Sequence, residues 1–177
     1  MKTIRRNTHR LAVLFVLPLG IGMSVAGNTA FADSRSLQPQ QMLPQYRQEC
    51  AACHQAYPPG MLPARSWNNI MSGLDRHFGT DASLDAATVV QIGQWLEGNA
   101  GTYKRVKEAP PGDRITRSAW FERKHRELDA VVWRHASVKS AANCAACHSR
   151  AEQGRFGEHE LRFPAGLPDR YRQVFED

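Results

Sequence analysis

The sequence predicts a mainly α-helical protein in which long loops connect short helices. Two stretches, at 66–78 and 83–97, carry apolar residues at the three- and four-residue spacing that buries one side of a helix. No stretch alternates apolar and polar residues for long enough to indicate a half-buried strand. The whole chain contains ten prolines and 13 glycines, many of them outside the periodic stretches, so we expect few strands and much loop.

The first 32 residues have the pattern of a secretory signal peptide. Four basic residues precede a mostly apolar segment at 11–27, and Ala30-Phe31-Ala32 places small residues on both sides of an expected cleavage position. A membrane anchor is the alternative, but the apolar segment contains Pro18 and is short for a span of about 20 residues. We therefore expect Sec-type export of a soluble protein to a periplasm.

The net charge argues against nucleic acid as a partner. The whole chain has 23 Lys and Arg against 17 Asp and Glu, which gives +6. Four of the basic residues and none of the acidic ones lie in the first 32 positions, so the mature chain carries only +2. A nucleic-acid-binding protein needs a concentrated basic surface, which this balance does not predict.

The elements of the first half follow from its breaks and caps. Residues 33–45 are polar and are predicted as a loop, and Tyr57-Pro58-Pro59-Gly60 prevents a helix from continuing. Ser66 is placed to cap a helix that Gly79 ends. The residues predicted to lie on its buried side are Trp67, Ile70, Met71, Leu74 and Phe78. A second helix is predicted from about 83 to 97, with Gly98 ending it.

The second half begins with a predicted linker. Residues 104–118 contain Pro110-Pro111-Gly112 among charges, and they divide the mature chain into domains 33–109 and 110–177. A third helix is predicted to begin near Ser118 and to end near Arg134. The tail after residue 155 is predicted as a loop followed by a short helical turn.

All four cysteines lie in two copies of one pentapeptide, Cys50-Ala-Ala-Cys53-His54 and Cys144-Ala-Ala-Cys147-His148. C-x-x-C-H is the attachment signature of c-type haem. Two thiols add to the two vinyl groups of one porphyrin, and the next residue presents an imidazole to the iron. We predict two covalent haem c groups, which form most of the core of two small lobes. His54 and His148 each supply one axial ligand.

Three alternative roles for the cysteines fit the pattern less well. Structural disulfides are common in exported chains, but they leave both histidines without a role. A zinc site formed by the two pairs would join motifs 94 residues apart, far beyond the spacing of a compact zinc ribbon. A thioredoxin-like redox motif would need a βαβ unit, which the chain lacks.

The second axial ligand decides whether a haem only exchanges electrons or also binds another molecule. His77 is preferred to Met71 at the first haem because it extends the buried side of the predicted helix. His125 follows Phe121 by four residues, again on an apolar side, and is preferred at the second haem. The remaining candidates are His135, His159, Met42 and Met61.

Chain spacing favours local pairing of the ligands. His77 follows His54 by 23 residues, and His125 precedes His148 by 23 residues. Closing each of these loops costs less entropy than crossing between halves, although a crossed arrangement is the alternative. We also expect Tyr57-Pro58-Pro59 to place a carbonyl near Nδ1 of His54, where it would orient the ring; a plain turn is the alternative.

These residues resemble the bacterial diheme cytochrome c family over essentially all of the mature chain. The resemblance is carried by the first motif with Tyr57-Pro58-Pro59-Gly60, by Leu62-Pro63-Ala64-Arg65-Ser66-Trp67, by His77-Phe78-Gly79 and Ala82-Ser83-Leu84-Asp85, by Arg114-Ile115-Thr116, Trp120-Phe121 and His125, and by the second motif with Ala151-Glu152-Gln153-Gly154.

The resemblance implies a function and a ligand set. Family members are small periplasmic electron carriers with two bis-histidine haems, which implies distal ligands at His77 and His125. They pass electrons to a monohaem, oxygen-binding cytochrome c and are often associated with a membrane b-type cytochrome. We therefore expect an electron carrier that works between redox proteins, and not an enzyme. The alternative is a small haem enzyme or gas-binding protein with one five-coordinate haem.

Overall fold

The structure is a computed structural model that describes Leu37, Pro39 and residues 41–176. The predicted signal peptide at 1–32 lies outside the described residues. Within them the chain forms short α-helices joined by 3₁₀ turns and loops and has no β-strand, which confirms the mainly α fold. The helices are α1 (Pro44–Cys50), α2 (Ala64–Ser72), α3 (Ala86–Gly98), α4 (Ala119–Lys124) and α5 (Ala130–Arg134).

The 3₁₀ turns complete the backbone of both halves. In chain order they are Pro59–Met61, Leu74–Arg76, Pro111–Asp113, Ile115–Arg117, Cys144–Ala146, Ala151–Gln153, Glu158–Glu160 and Asp169–Phe175. No helix of the described part is long and apolar enough to cross a membrane.

Helix α1 corrects the prediction of a loop that runs up to the first motif. Pro44 occupies its first turn, where a missing N–H costs nothing, and Cys50 is its last residue. Tyr46 lies on the inner side of this helix and is only 2% exposed. The first haem motif therefore begins on a helix and not on a loop.

Helix α2 is shorter than predicted. It begins at Ala64, so Ser66 lies inside it, is fully buried and does not cap it. It ends at Ser72, because Gly73, and not Gly79, interrupts the helix. His77 consequently does not extend the helix; it follows the 3₁₀ turn Leu74–Arg76, and Phe78 after it has a positive φ of 51°.

Helix α3 matches its prediction closely. Asp85 caps its start, where the carboxylate accepts a hydrogen bond from the N–H of Thr88 at 3.0 Å. Gly98 is its last residue and Asn99 its C-cap. Ile92 and Leu96 are buried against α2, which places the two longest helices in contact.

The third predicted helix is in fact two. Ser118 caps α4 as expected, with its hydroxyl oxygen accepting from the N–H of Phe121 at 3.3 Å. The chain then leaves the helical path at His125 and resumes in α5, which Asp129 caps by accepting from the N–H of Val131 at 2.9 Å. A second N-cap inside the segment is the signal that divides it.

The buried side chains form two clusters. The first joins α1, α2 and α3 and consists of Tyr46, Leu62, Trp67, Met71, Ile92 and Leu96. The second joins α5, the second motif and the tail and consists of Val132, Val138, Ala146, Cys147, Leu167 and Tyr171. We refer to the chain around each cluster as the N-terminal and the C-terminal lobe.

The predicted linker packs onto the N-terminal lobe. Ile115 contacts the first cluster, and Asn69 on α2 donates to the carboxylate of Asp113 at 3.1 Å. The guanidinium of Arg114 lies 4.4 Å from the centre of the Phe78 ring. Residues 113–115 are therefore held against the first lobe, while the domain boundary between 109 and 110 stays a prediction.

Candidate haem sites

The first motif leaves the end of α1 and presents its histidine at the surface. Cys50 is half-buried, and Cys53 and His54 are exposed. The ring of His77 lies parallel to that of His54, with centroids 6.1 Å apart and an interplanar angle of 18°. The turn after α2 sets this placement, since the N–H of His77 bonds to the carbonyl of Leu74 and its own carbonyl accepts from Thr80.

The second motif lies in the C-terminal lobe and is less exposed. The rings of His125 and His148 have centroids 6.2 Å apart and an interplanar angle of 79°. His125 follows α4 directly and stacks on Phe121 at 4.0 Å, while Trp133 lies 5.8 Å away. An aromatic wall thus holds the His125 ring toward His148.

Both separations fit two imidazoles on opposite sides of one iron. A metal–imidazole bond is about 2 Å long and each nitrogen lies about 1 Å from its ring centre, so trans ligands place their centroids about 6 Å apart. The structure therefore brings together His54 with His77 and His125 with His148. This is the local pairing that loop closure favours.

Burial favours the neutral, metal-binding form of three of these rings. The pKa of His148 is lowered from its ordinary 6.5 to about 4, chiefly by burial and in part by the nearby His125, against the opposing effect of the Glu160 carboxylate. Burial likewise lowers the pKa of His125 and of His77. A lower pKa weakens the competition of protons for the lone pair that a metal would take.

The Nδ1 atoms of His54 and His148 have different hydrogen-bond surroundings. Nδ1 of His54 lies 2.7 Å from the carbonyl of Gln55. A carbonyl therefore lies where the sequence predicts one, and it belongs to Gln55; the carbonyls of Tyr57 and Pro59 accept instead from Tyr46 and Trp67. That Tyr57-Pro58-Pro59 places the Gln55 carbonyl stays a prediction. Nδ1 of His148 is buried and has no hydrogen-bond partner among the described residues.

The cysteines suit covalent attachment. All four are free thiols, without a disulfide among them. Burial raises the pKa of Cys50 and of Cys144 to about 11, and it also raises the pKa of Cys147. Burial therefore keeps these three sulfurs protonated in the folded chain, and free thiols are the form from which thioethers to a haem are made.

Open space borders both histidine pairs. A cavity of about 370 Å³ adjoins His125 and is lined by Phe121, Leu128, Trp133 and Ala141 among others. A smaller one of about 180 Å³ adjoins His77 and includes Ile70 and Phe78 in its walls. The apolar and aromatic walls beside His125 suit a planar apolar group such as a porphyrin, whereas the cavity beside His77 is also lined by Arg76 and Asp113.

The other candidate ligands have different surroundings. His135 has its Nδ1 2.8 Å from the hydroxyl of Ser137, and His159 is exposed in the turn Glu158–Glu160. Met61 and Met71 are buried, with Met71 in the first cluster.

Several neighbours of the second pair are not predicted by the sequence patterns. The ring of Phe156 lies 5.5 Å from that of His148, and an ion pair of Arg155 and Glu160 lies in the same loop. This loop returns to the motif through the backbone bridge between His148 and Leu161. A bridge of this kind has no local sequence signal, so the position of Phe156 is visible only in the structure.

A helical chain in which two C-x-x-C-H motifs each present a histidine to a second histidine defines a haem-binding c-type cytochrome. The family model described as Dihaem cytochrome c matches residues 46–156. The chain belongs to this family, which confirms the resemblance and implies two haem c groups with their iron.

Solved structures agree with this assignment. A crystal structure of DHC from Rhodobacter sphaeroides is 44% identical, with a TM-score of 0.58, and the match covers 66% of this chain and 98% of that one. The diheme cytochrome type c from Shewanella baltica is 36% identical, with a TM-score of 0.61, and the match covers 69% and 93%. A search of curated proteins yields no match.

Proposed function

We propose that this cytochrome is an electron carrier in which both haems have two histidine ligands. The observation that carries the proposal is the pair of imidazole separations, 6.1 Å for His54 and His77 and 6.2 Å for His125 and His148. Two histidines on each iron leave no coordination position for a substrate. The protein then acts as a conduit for electrons and not as an enzyme.

The proposal assigns separate roles to the cysteines, the histidines and the aromatic residues near them. Bound haem iron supplies a one-electron ferric–ferrous couple. Cys50 and Cys53 tether the first group, and Cys144 and Cys147 the second. The two histidine pairs hold the irons and favour lower potentials than a histidine–methionine pair would. Aromatic walls such as Phe121 and Trp133 limit the access of water, which reduces the reorganisation around the second group.

The proposal includes a compartment and partners. Cleavage after residue 32 releases the chain to the periplasm, where domains 33–109 and 110–177 each carry one haem. The partners are other redox proteins, with a monohaem oxygen-binding cytochrome c and a membrane b-type cytochrome as the first candidates by family resemblance. The basic cluster Arg114, Arg117, Arg123, Lys124 and Arg126 is exposed and suits an acidic docking surface.

Low-temperature EPR of the oxidised holoprotein tests the ligation. We expect two low-spin signals and no high-spin iron. The nearly parallel rings at the first site separate the energies of the two iron orbitals that share the unpaired electron, whereas the nearly perpendicular rings at the second leave them close. The second signal should therefore be the more anisotropic.

Carbon monoxide provides the opposing test. A reduced protein with two bis-histidine haems should show no rapid spectral shift on addition of the gas. A rapid, large shift, or a high-spin ferric signal, would instead support a haem enzyme or gas-binding protein with one five-coordinate iron. Mass spectrometry under denaturing conditions, with two haems retained, confirms that the sample is fully loaded.

A further inference from the structure

The side chain of Tyr57 contacts the first haem motif and the chain just before the second. The ring of Tyr57 lies against that of His54, with centroids 5.1 Å apart. Its hydroxyl donates a hydrogen bond of 2.7 Å to the carbonyl of Ala142, 85 residues further along and two residues before Cys144. We propose that Tyr57 is a positioning residue that sets the separation of the two haem sites and with it the rate of electron exchange between them.

The first lobe holds Tyr57 firmly. The hydroxyl of Tyr46 donates to the Tyr57 carbonyl at 2.6 Å, and Tyr46 belongs to the first cluster, against which Tyr57 also packs. Pro58 and Pro59 follow, and their fixed φ angles restrict the backbone beyond the ring. The phenol therefore projects from a rigid part of the N-terminal lobe.

At its other end the hydrogen bond reaches the start of the second motif. The Sγ atom of Cys144 lies 3.7 Å from the same Ala142 carbonyl. When Cys144 forms its thioether, sulfur bonds to one vinyl carbon and the thiol proton goes to the other, so this sulfur can no longer donate. Tyr57 then remains as the donor to Ala142. Burial raises the pKa of Tyr57, so its proton stays in place.

The effect on electron exchange follows from the two contacts. In the exchange, one electron leaves one haem and reduces the other; no proton moves, and Tyr57 is neither oxidised nor deprotonated. The chain of contacts runs from the His54 ring through the Tyr57 ring and one hydrogen bond to the carbonyl of Ala142, two residues before the second motif. This inference rests on the proposed electron-carrier function, since only then does the spacing of the haems govern a rate.

The test compares two single-atom deletions in the holoprotein. Tyr57→Phe keeps the ring beside His54 and removes the hydroxyl that crosses between lobes. Tyr103→Phe is the control, because the Tyr103 hydroxyl donates to Gly60 at 3.2 Å within the first lobe. Pulsed reduction followed by optical detection measures the exchange between haems. We expect a severalfold loss of rate in Tyr57→Phe and an unchanged rate in Tyr103→Phe.

Hydrogen exchange provides a readout independent of electron transfer. The N–H groups of Cys147 and His148 both bond to the carbonyl of Cys144. In Tyr57→Phe their exchange should accelerate about fivefold, the factor that corresponds to loss of one hydrogen bond of about 1 kcal/mol. The EPR signal of the first haem should stay low-spin, which shows that the loss of rate does not come from a lost ligand.

Tyr57→Leu completes the series by removing the ring as well, and its rate should be lower than that of Tyr57→Phe. Equal exchange rates and equal amide protection in wild type, Tyr57→Phe and Tyr103→Phe would overturn the positioning role. A wild-type protein with a high-spin haem that binds carbon monoxide would overturn the proposed function instead. In that case the amide comparison alone decides whether Tyr57 positions the second motif.

Discussion

Residues 51–54 of the first motif are exposed on the surface of the N-terminal lobe, whose core is formed by three helices. In the second motif, by contrast, Ala146 and Cys147 are part of the core of the C-terminal lobe. The N-terminal lobe has helices of 7, 9 and 13 residues that bury one another. The C-terminal lobe has helices of only 6 and 5 residues. Isolated helices shorter than about 12 residues are marginal in water. The two shorter helices of the first lobe pack with a helix of 13 residues, whereas the second lobe has no helix of that length, so we expect the second lobe to depend more on what its motif binds.

The imidazoles repeat this contrast. His54 is exposed and its Nδ1 has the Gln55 carbonyl as partner, whereas His148 is half-buried and its Nδ1 has none. A buried nitrogen without a hydrogen-bond partner costs free energy, which the exposed His54 ring does not incur. The first haem motif thus lies on the surface of a lobe with a helical core of its own, whereas the second haem motif forms part of the core of its lobe.

Removal of the attachment cysteines should give the largest difference in stability between the two lobes. Cys144→Ala with Cys147→Ala should leave one haem and lower amide protection at Val132 and Val138 by at least about 100-fold, or about 3 kcal/mol, because the bound group contributes folding free energy. Cys50→Ala with Cys53→Ala should also leave one haem, while Ile92 and Leu96 keep most of their protection. Hydrogen exchange with mass spectrometry measures both. Equal losses in the two lobes would contradict the comparison.

Loss of the distal histidines should open each haem separately. We expect His77→Ala to convert the N-terminal haem, and His125→Ala the C-terminal haem, to a high-spin form that binds carbon monoxide. His125→Ala should also lower the free energy of unfolding by about 2 kcal/mol, since this ring is packed on Phe121. Spectra of forms that carry a single motif assign each change.

His135→Ala and His159→Ala are the matched controls and should leave both haems low-spin. If His77→Ala opened the C-terminal haem while the N-terminal haem stayed low-spin, the local pairing would be wrong.

The close approach of Gly101 to the carbonyl of Gly60 tests how tightly the N-terminal lobe packs. A Cβ on Gly101 would lie 2.5 Å from the carbonyl oxygen of Gly60 and 2.9 Å from Val106, so Gly101→Ala should cost about 2 kcal/mol. Gly98→Ala, at the end of α3, meets no atom within 4 Å and should be neutral or slightly stabilising. Urea unfolding monitored at Trp67 and Trp95 measures the difference. Equal midpoints would mean that this approach is not tight.

Acid should weaken the C-terminal lobe modestly in the apoprotein, in which the His148 ring is not bound to iron. The pKa of His148 is about 4 in the folded chain and 6.5 ordinarily, so between these values the unfolded chain binds more protons. Stability should therefore fall as the pH falls from about 6.5 to about 4, by about 1 kcal/mol, since the ring keeps some hydration. Urea midpoints against pH measure this loss. His159→Gln, at an exposed position, should leave the slope unchanged, and a slope of opposite sign would refute the burial argument.

The existence of the helices is more predictable than their ends. The apolar spacing of 83–97 and the cap at Ser118 are sufficient for α3 and for the start of α4. The spacing of 66–78 continues past the true end of α2 because Leu74 and Phe78 fit a helical period although Gly73 interrupts it. Helix α1 is not predicted because proline usually breaks a helix, whereas Pro44 lies in the first turn, where a proline is tolerated.

The two C-x-x-C-H motifs determine attachment chemistry locally: five consecutive residues provide both sulfurs and one imidazole, so no folding is needed to recognise them. The position of the second histidine of each pair is not determined by such a local motif. His77 and His125 reach their partners through a turn after α2 and a break after α4, and both depend on contacts between residues far apart in the chain. The same holds for Tyr57 and Ala142, which are 85 residues apart. Their meeting depends on how the two lobes pack, because a pattern of short range carries no information about a hydrogen bond that closes so long a loop.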